Sequence, residues 1–506
     1  MGVIQFCYWR EFMSEFNINE EVKVKEKIIY VAFALLLGVV FDRMFVGNSI
    51  GISYPIFTSL TIGFFILSSK KIINRKFNMG FVFLSLAILL SVYFAMGTNV
   101  IIRTLNIFAV PFLLISASLI ITKTEVKWSA PGFIAKVLDR GILHPLENFD
   151  KPVTFTSEAI KEMTNSRLSQ GKKQVVKGLL ISIPILIVVL ILLSSADMVF
   201  NYYIQNISKI FDDIDLNEVF KHAIVILLIT FYLFGYIWSF KANKAKKVEI
   251  EKDKNFWEVI TNITVIALIN IVYLLFTIIQ FSYLYGGGET NLQKGFTYAD
   301  YARRGFFELV TVAIINYILV MLSSKSIRKS TGAMSYAIKI LVTLLVLFTM
   351  NMIFSAHYKL SLYESSYGFT YLRVYVHMFM VIMFLLCFFA AISIWTDKMS
   401  LSKSLIITLV LGYTIISYVN VDAFIAKRNI ESYKTTKKID IYYLTNLSYE
   451  AVPYLVELKD DSDFNISNTV RKDLIRRKET LEEEKGLFQF NFSKERARKL
   501  LRTLEL

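Results

Sequence analysis

Cysteine is almost missing from this chain. Cys7 and Cys387 are the two in 506 residues. They stand far apart and the second falls in an apolar run, so neither a disulfide framework nor a cysteine-based metal site is on offer. Charge is also thin: Asp, Glu, Lys and Arg make up 19% of the residues, below the roughly 25% of soluble domains. Walker, H-E-x-x-H and Rossmann patterns are all missing, which argues against a self-contained ATPase and implies no cofactor. What the chain has instead is apolar length. Hydrophobic residues reach 55%, with 42 Phe, and the mean hydropathy is +0.51. This composition predicts an all-α, polytopic transmembrane helix bundle with the lipid bilayer as its partner. The net charge of +15 could suggest nucleic acid, but it is spread over several short loops. In a membrane protein such Lys and Arg mark the cytoplasmic side, so no nucleic-acid partner is expected.

A helix crossing a hydrocarbon core about 30 Å thick needs around 20 apolar residues. Eleven runs qualify, near 28–46, 51–69, 80–97, 99–121, 177–200, 219–240, 257–284, 304–323, 333–355, 372–395 and 404–424, the second being the shortest. Basic loops follow spans two, four, six and eight, with Lys70, Lys71, Arg75 and Lys76 in the first of them and Lys325, Arg328 and Lys329 in the last. All fall on one side of an eleven-span chain, and the positive-inside rule makes that side the cytoplasm. Trp128, Trp238, Trp257 and Trp395 sit at the same ends, as interfacial indoles do. The expected layout has five parts: a cytoplasmic N-terminal segment at 1–27, spans one to four in 28–121, a cytoplasmic linker at 122–176, spans five to eleven in 177–424, and a small helix-containing extracytoplasmic domain at 425–506. Residues 1–27 mix acids and bases, with no small-residue cleavage site after an apolar core. The first span is therefore expected to be a retained anchor of a multi-pass plasma-membrane protein.

An ionisable group at the centre of a span costs about 2.5 to 3.5 kcal/mol on insertion scales. On the expected topology most such groups gather toward the outer ends: Asp42, Arg43, Arg103, Asp197, His222, Glu308, His357, Arg373, His377 and Asp422. Residues near span ends also snorkel or simply mark the interface. Both signs on one side nevertheless point to a shared outward-facing polar cavity, with Arg103, Asp197, Arg304, Glu308, Arg373, His377 and Asp422 as its candidate ligand-binding lining. In "YADYARRGFFELV" (298–310) the preceding Thr297 and Asp300 form a capping-box pattern. Tyr298, Tyr301, Arg304 and Glu308 then share one helical face, with Arg303 off it. Arg304 and Glu308 either pair with each other or meet a ligand or a counter-charge such as Arg103 or Arg373. Two patterns are weaker. Asp213 and Asp215 make a D-x-D in an acidic outer loop, and His222, His357 and His377 could take zinc together, although no H-x-x-x-H spacing supports it.

Several stretches resemble a bacterial family of integral membrane proteins, the domain of unknown function 4173, and its close relative 4153. They are "FDRMFVGNSIGISYPIF" (41–57), "RTLNIF" (103–108), "LLSSADMVF" (192–200), "YADYARRGFFEL" (298–309) and "NVDAFIAKRNI" (420–430), continued by "IDIYYLTNLSYEAVP". The resemblance implies a multi-span bacterial membrane protein and no activity, so no catalytic residue is inherited. It marks Asp197, Glu308 and Asp422 as motif members. Where the family has Asn-Pro-Asp, this chain has Asn420, Val421 and Asp422, and loss of the proline predicts that span eleven continues helically.

Three functions fit these features. A transporter-like or lipid-handling protein would use the outward-facing cavity. A sensor or accessory subunit would use the external C-terminal domain, with its alternating charge, to contact an envelope or signalling partner protein. An envelope transferase acting on a lipid-linked substrate would use an outer acid such as Asp42 or Asp197.

Overall fold

A computed structural model of the chain describes residues 24–70, 72–74, 76–122, 128–130, 132–164, 182, 186, 189, 193, 196–200, 216–242, 258–280, 306–396, 399–484 and 486–504. Among them there is no strand, only one isolated bridge between Ile73 and Thr122, and the protein is an all-α polytopic helix bundle. Nine helices among the described residues are long and apolar enough to cross a membrane. The expected second span is a helix of 16 residues, Ser53–Ser68, about 24 Å long at 1.5 Å per residue and short of a full crossing. The expected fifth span, 177–200, lies largely outside the described residues. Hydroxyls inside the apolar helices carry little cost, because they bond the carbonyl one turn back. Thr61 donates to Phe57 O at 2.9 Å, Thr349 to Leu345 O at 2.7 Å and Ser417 to Tyr413 O at 2.9 Å.

The chain forms two compact units, the first from residues 1–95, 106–248 and 486–490. Its helices are α1 (Val24–Phe45), α2 (Ser53–Ser68), α3 (Met79–Met96), α4 (Val100–Ile121, from Asn106 onward), α5 (Phe133–Leu138), α6 (His144–Glu147), α7 (Lys151–Thr164) and α8 (Leu216–Ala242). A π turn, Asp139–Leu143, joins α5 to α6. The core is aromatic: Phe155 packs edge-on against Trp238, and Phe234 stacks on Trp238 at 5.9 Å. The short segment 486–490 belongs to this unit. Phe490 O accepts from Ile52 N–H at 3.0 Å, and Gln489 Nε2 donates to Asn48 Oδ1 at 2.9 Å. At Gly51 a Cβ would come within 2.6 Å of the Gln489 backbone, so only glycine allows this close approach.

The second unit comprises residues 96–105, 249–485 and 491–506. It contains α9 (Val259–Gln280), α10 (Phe306–Lys329), α11 (Gly332–Tyr367), α12 (Tyr371–Trp395), α13 (Leu401–Tyr418), α14 (Val421–Thr436), α15 (Ile441–Thr445), α16 (Val452–Leu455), α17 (Phe464–Glu483) and α18 (Phe492–Arg502). Helices α9 to α13 share one apolar core around Val342, Leu345 and Leu386. Buried amides add cross-links between these helices. Asn316 donates to Thr349 Oγ1 at 2.9 Å, Tyr273 to Asn316 Oδ1 at 2.7 Å, and Asn270 to Leu341 O at 2.9 Å. In lipid, where apolar surface gives helices no preference for one another, such bonds fix which faces meet. Helices α14 to α18 build a further core around Ile425, Leu455, Val470, Leu474 and Leu501. Contrary to the expectation from the missing proline, α13 stops at Tyr418. Asn420 replaces the break that proline would have imposed: its side chain accepts from Ala423 N–H at 3.1 Å and caps α14.

Candidate functional site

Capping Asn420 places Asp422 in the first turn of α14, where the helix dipole favours a negative charge. Asp422 is 1% exposed. Its Oδ1 accepts from Ser448 N–H at 2.8 Å and from the Tyr371 hydroxyl of α12, and its Oδ2 accepts from Asn99 Nδ2. The other end of Asn99 caps α4, Oδ1 taking Ile102 N–H at 3.0 Å and the Tyr375 hydroxyl at 3.2 Å. A second carboxylate works beside it. Glu450 accepts from the Thr98 amide, the Thr98 hydroxyl and the Ser448 hydroxyl, while Tyr449 N–H returns to Thr98 Oγ1 at 3.1 Å. Residues 98–99 are thereby bound to the 448–450 turn and to α12 and α14. A buried carboxylate is costly unless its lone pairs are filled, and those of Asp422 are filled by three donors. Its chemistry is that of a clamp, not of a free acid or base. Tyr443 lies alongside; burial pushes its phenol above the ordinary value, with Asp422 adding to the effect and Arg373 opposing it.

Arg373 and His377 sit one turn apart on α12. Arg373 donates to Tyr367 O at 3.1 Å and to Gly368 O, and lies 4.3 Å from the Tyr363 ring centre. It thus satisfies the open carbonyls at the C-terminus of α11 with a cation, where the dipole favours one. Gly368, at φ 76°, makes the turn into α12, and Asn429 holds the next residue by both Phe369 N–H (2.7 Å) and Phe369 O (2.9 Å). His377 joins a hydrogen-bonded string: His357 Nδ1 to His377 Nδ1 at 2.7 Å, then His377 Nε2 to Glu364 Oε2 at 2.9 Å. Arg103 reaches back to Gly97 O at 2.9 Å.

The remaining expected residues fall elsewhere. Glu308 is exposed on α10, within electrostatic reach of Lys359 on α11. Arg304, Tyr298, Tyr301, Thr297, Asp213 and Asp215 lie outside the described residues. In the first unit, Asp197 accepts from Val199 N–H at 2.7 Å and Phe200 N–H at 2.9 Å, capping a helical turn, and buried Asp42 bonds His222 Nδ1 at 2.7 Å. Of the three candidate zinc histidines, His357 and His377 touch each other, while His222 is occupied by Asp42 and by Glu218 at 3.5 Å. Among the described residues no group of three or more His, Cys, Asp or Glu is placed to hold a metal ion.

The first unit also holds a cavity that sequence reasoning did not foresee. It encloses about 560 Å³ within the first unit, lined by side chains such as Phe41, Phe57, Thr61, Val110, Leu114 and Tyr236. Of the seven expected cavity residues, none of the six that are described lines it. Its walls extend from Tyr54 to Phe65 on α2 and from Ile107 to Ser118 on α4, about 16 Å along each helix at 1.5 Å per residue. Pro111 inside α4 contributes: it removes the N–H that would bond Ile107 O and crowds the preceding turn, which works against tight packing there. Polar atoms meet the cavity near Asn48, close to two buried oxygens without a hydrogen-bond partner, Ser49 Oγ and Gln489 Oε1.

Residues 84–458 match a family described as a domain of unknown function, DUF4153. The chain belongs to the DUF4153 family. This is the close relative of the 4173 family, and the match extends from α3 through the Asp422 clamp to the turn that carries Ser448 and Glu450. No curated protein and no solved structure matches the chain. Membership of DUF4153 agrees with a multi-pass integral membrane protein and brings no activity with it.

Proposed function

We propose that this DUF4153 protein handles a membrane amphiphile, holding one hydrocarbon chain of a lipid or envelope component in the cavity of the first unit. The apolar cavity of about 560 Å³ carries this reading, since ligand pockets typically span roughly 300–1,000 Å³. Its length of about 16 Å suits an extended chain running parallel to the helices. Shielding such a chain from water is worth about 0.8 kcal/mol per methylene, which is what a carrier of amphiphiles must supply. Native mass spectrometry of the protein released from membranes tests it. The expected result is a retained amphiphile whose occupancy falls several-fold in Thr61→Trp or Leu114→Trp, which fill the cavity. Equal occupancy in the variants and the parent would refute the reading.

A sensor or accessory role draws support from the core of α14 to α18, into which Val374 of α12 also packs, and which gives the C-terminal region a surface for an envelope partner. Both readings take the N-terminus as cytoplasmic and the C-terminus as extracytoplasmic, on the distribution of basic loops. In Lys438→Cys, an impermeant maleimide is then expected to label intact cells; labelling only after permeabilisation would reverse the orientation.

A further inference from the structure

The sequence reading places residues 122–176 in a cytoplasmic linker, yet the helical stretch from Phe133 to Glu147 has a surface that water does not suit. One face is buried: Phe133, Val137, Arg140, Gly141 and Pro145 turn inward. That face is fastened to the last turns of α8. Arg140 donates to Ser239 O at 2.9 Å and to Ser239 Oγ at 3.2 Å, and Tyr232 donates to Gly141 O at 3.0 Å. Tyr232 and Ser239 belong to a candidate membrane span that ends at Lys241, so the stretch lies against the membrane-crossing part of α8 and near its end.

The opposite face carries Ile134, Leu138, Ile142 and Leu146 at intervals of four, with Leu143 beside them, each more than half exposed. In an ideal α-helix such a row drifts about 40° per step. The π turn over 139–143 takes more residues per revolution and so holds the row on one side. Polar groups flank the row. His144 joins Asp139 at 3.3 Å and Glu147 at 2.9 Å, which gathers the acidic side chains along one edge. A buried face, an apolar ridge and a charged edge on one short helix describe an element lying in a membrane interface.

We propose that residues 133–147 form a membrane-inserted helix whose ridge of Ile134, Leu138, Ile142 and Leu146 contacts the acyl region of the bilayer. Continuity decides the occupant: the helix is seated on α8, whose own outer side chains at Leu228 and Tyr232 are exposed apolar surface of a membrane span. The proposal extends beyond the cavity reading and also touches it, because Tyr232, which bonds Gly141, and Ile115, which packs on Gly141, both line the cavity.

The test uses the full chain in lipid nanodiscs, with Cys7→Ser and Cys387→Ala removing the native thiols. A nitroxide is placed at Ile134→Cys, Ile142→Cys or Leu146→Cys, with Glu147→Cys as the polar reference. Relaxation by oxygen is expected to exceed relaxation by a water-soluble nickel chelate several-fold on the ridge, and the order to reverse at position 147. Nickel dominance on the ridge would overturn the proposal by placing it in water. Protection from both relaxants would overturn it as well, since a second copy or another protein would then cover the ridge. Where a labelled variant fails to fold, the unsubstituted protein is photolabelled with a membrane-partitioning diazirine and read by mass spectrometry. Adducts within residues 134–146 support the proposal, and adducts confined to the membrane-length helices refute it.

Discussion

Replacing Asp422 by Asn tests the clamp with the smallest change of shape. The amide keeps one oxygen for Tyr371 and Ser448 but turns an NH₂ group toward Asn99 Nδ2, so two donors face each other in a site that is 1% exposed. One charge-assisted hydrogen bond is lost, at about 1.5–3 kcal/mol, and a buried donor is left unmade, at about 1–3 kcal/mol. Allowing for overlap between these two terms, the loss is about 3–4 kcal/mol. With about 2–4 °C of melting temperature per kcal/mol in units of this size, the second unit should melt roughly 10 °C lower. Thermal unfolding in detergent, followed by protease resistance of residues 421–502, gives the readout. The double variant Asn99→Asp with Asp422→Asn restores a donor–acceptor pair. The carboxylate introduced at position 99 can still cap Ile102 N–H, so most of the loss should return. A single variant that melts with the parent, or a double variant no more stable than the single, would refute the argument.

Two further outcomes follow from the same unit. Gly368→Ala forces a side chain into φ 76° and sets its Cβ 2.7 Å from Asn429 Oδ1. The backbone term of about 1 kcal/mol and a weakened Asn429 clamp together predict about 2 kcal/mol of destabilisation in the same melting assay, and a change within a few tenths would contradict it. Burial also raises the phenols of Tyr443 and Tyr449, with Arg477 opposing at Tyr449. Below pH about 10 the unfolded phenols are neutral too, so this contribution to stability is fully present there. Above it the unfolded chain ionises first and stability falls as pH rises through the folded values. Alkaline unfolding is therefore expected to begin above pH about 10 and to move upward in Tyr443→Phe; an unmoved midpoint would exclude Tyr443 from the transition.

Much of the fold was legible because spans advertise themselves by length and apolar content. Among the described residues nine of the eleven expected spans are membrane-length helices, and the shortest, Ser53–Ser68, falls short of a crossing. Boundaries set by side-chain capping were harder to read: nothing in "NVD" weighs Asn420 as a cap against a helix continuing past it. The site was legible in part. Asp422, Arg373, His357 and His377 were singled out as ionisable groups near span ends, and each is held by specific partners. The partners of Asp422, namely Asn99, Tyr371 and Ser448, are polar residues distant in sequence, and no local pattern ties them to the charge they serve, whereas Arg373 meets the carbonyls of Tyr367 and Gly368 close by. The apolar cavity left no signal, because Phe57 or Leu114 would look the same packed in a solid core. The membrane-facing row at 134–146 was hidden by its shortness and by the π turn, which breaks the α-helical period that the eye follows.

The binding of residues 486–490 into the first unit changes what a truncation can mean. Removing the chain from residue 425 onward takes away most of the core of α14 to α18, but it also takes Phe490 O from Ile52 and Gln489 from Asn48. A cut between residues 248 and 249 would likewise leave Thr98 and Asn99 on the fragment opposite their partners Glu450 and Asp422. Neither gene half encodes a whole unit. Loss of function on deleting the tail is thus no genetic proof of a tail-specific role, and complementation between separately expressed fragments would have to restore interleaved pieces of both.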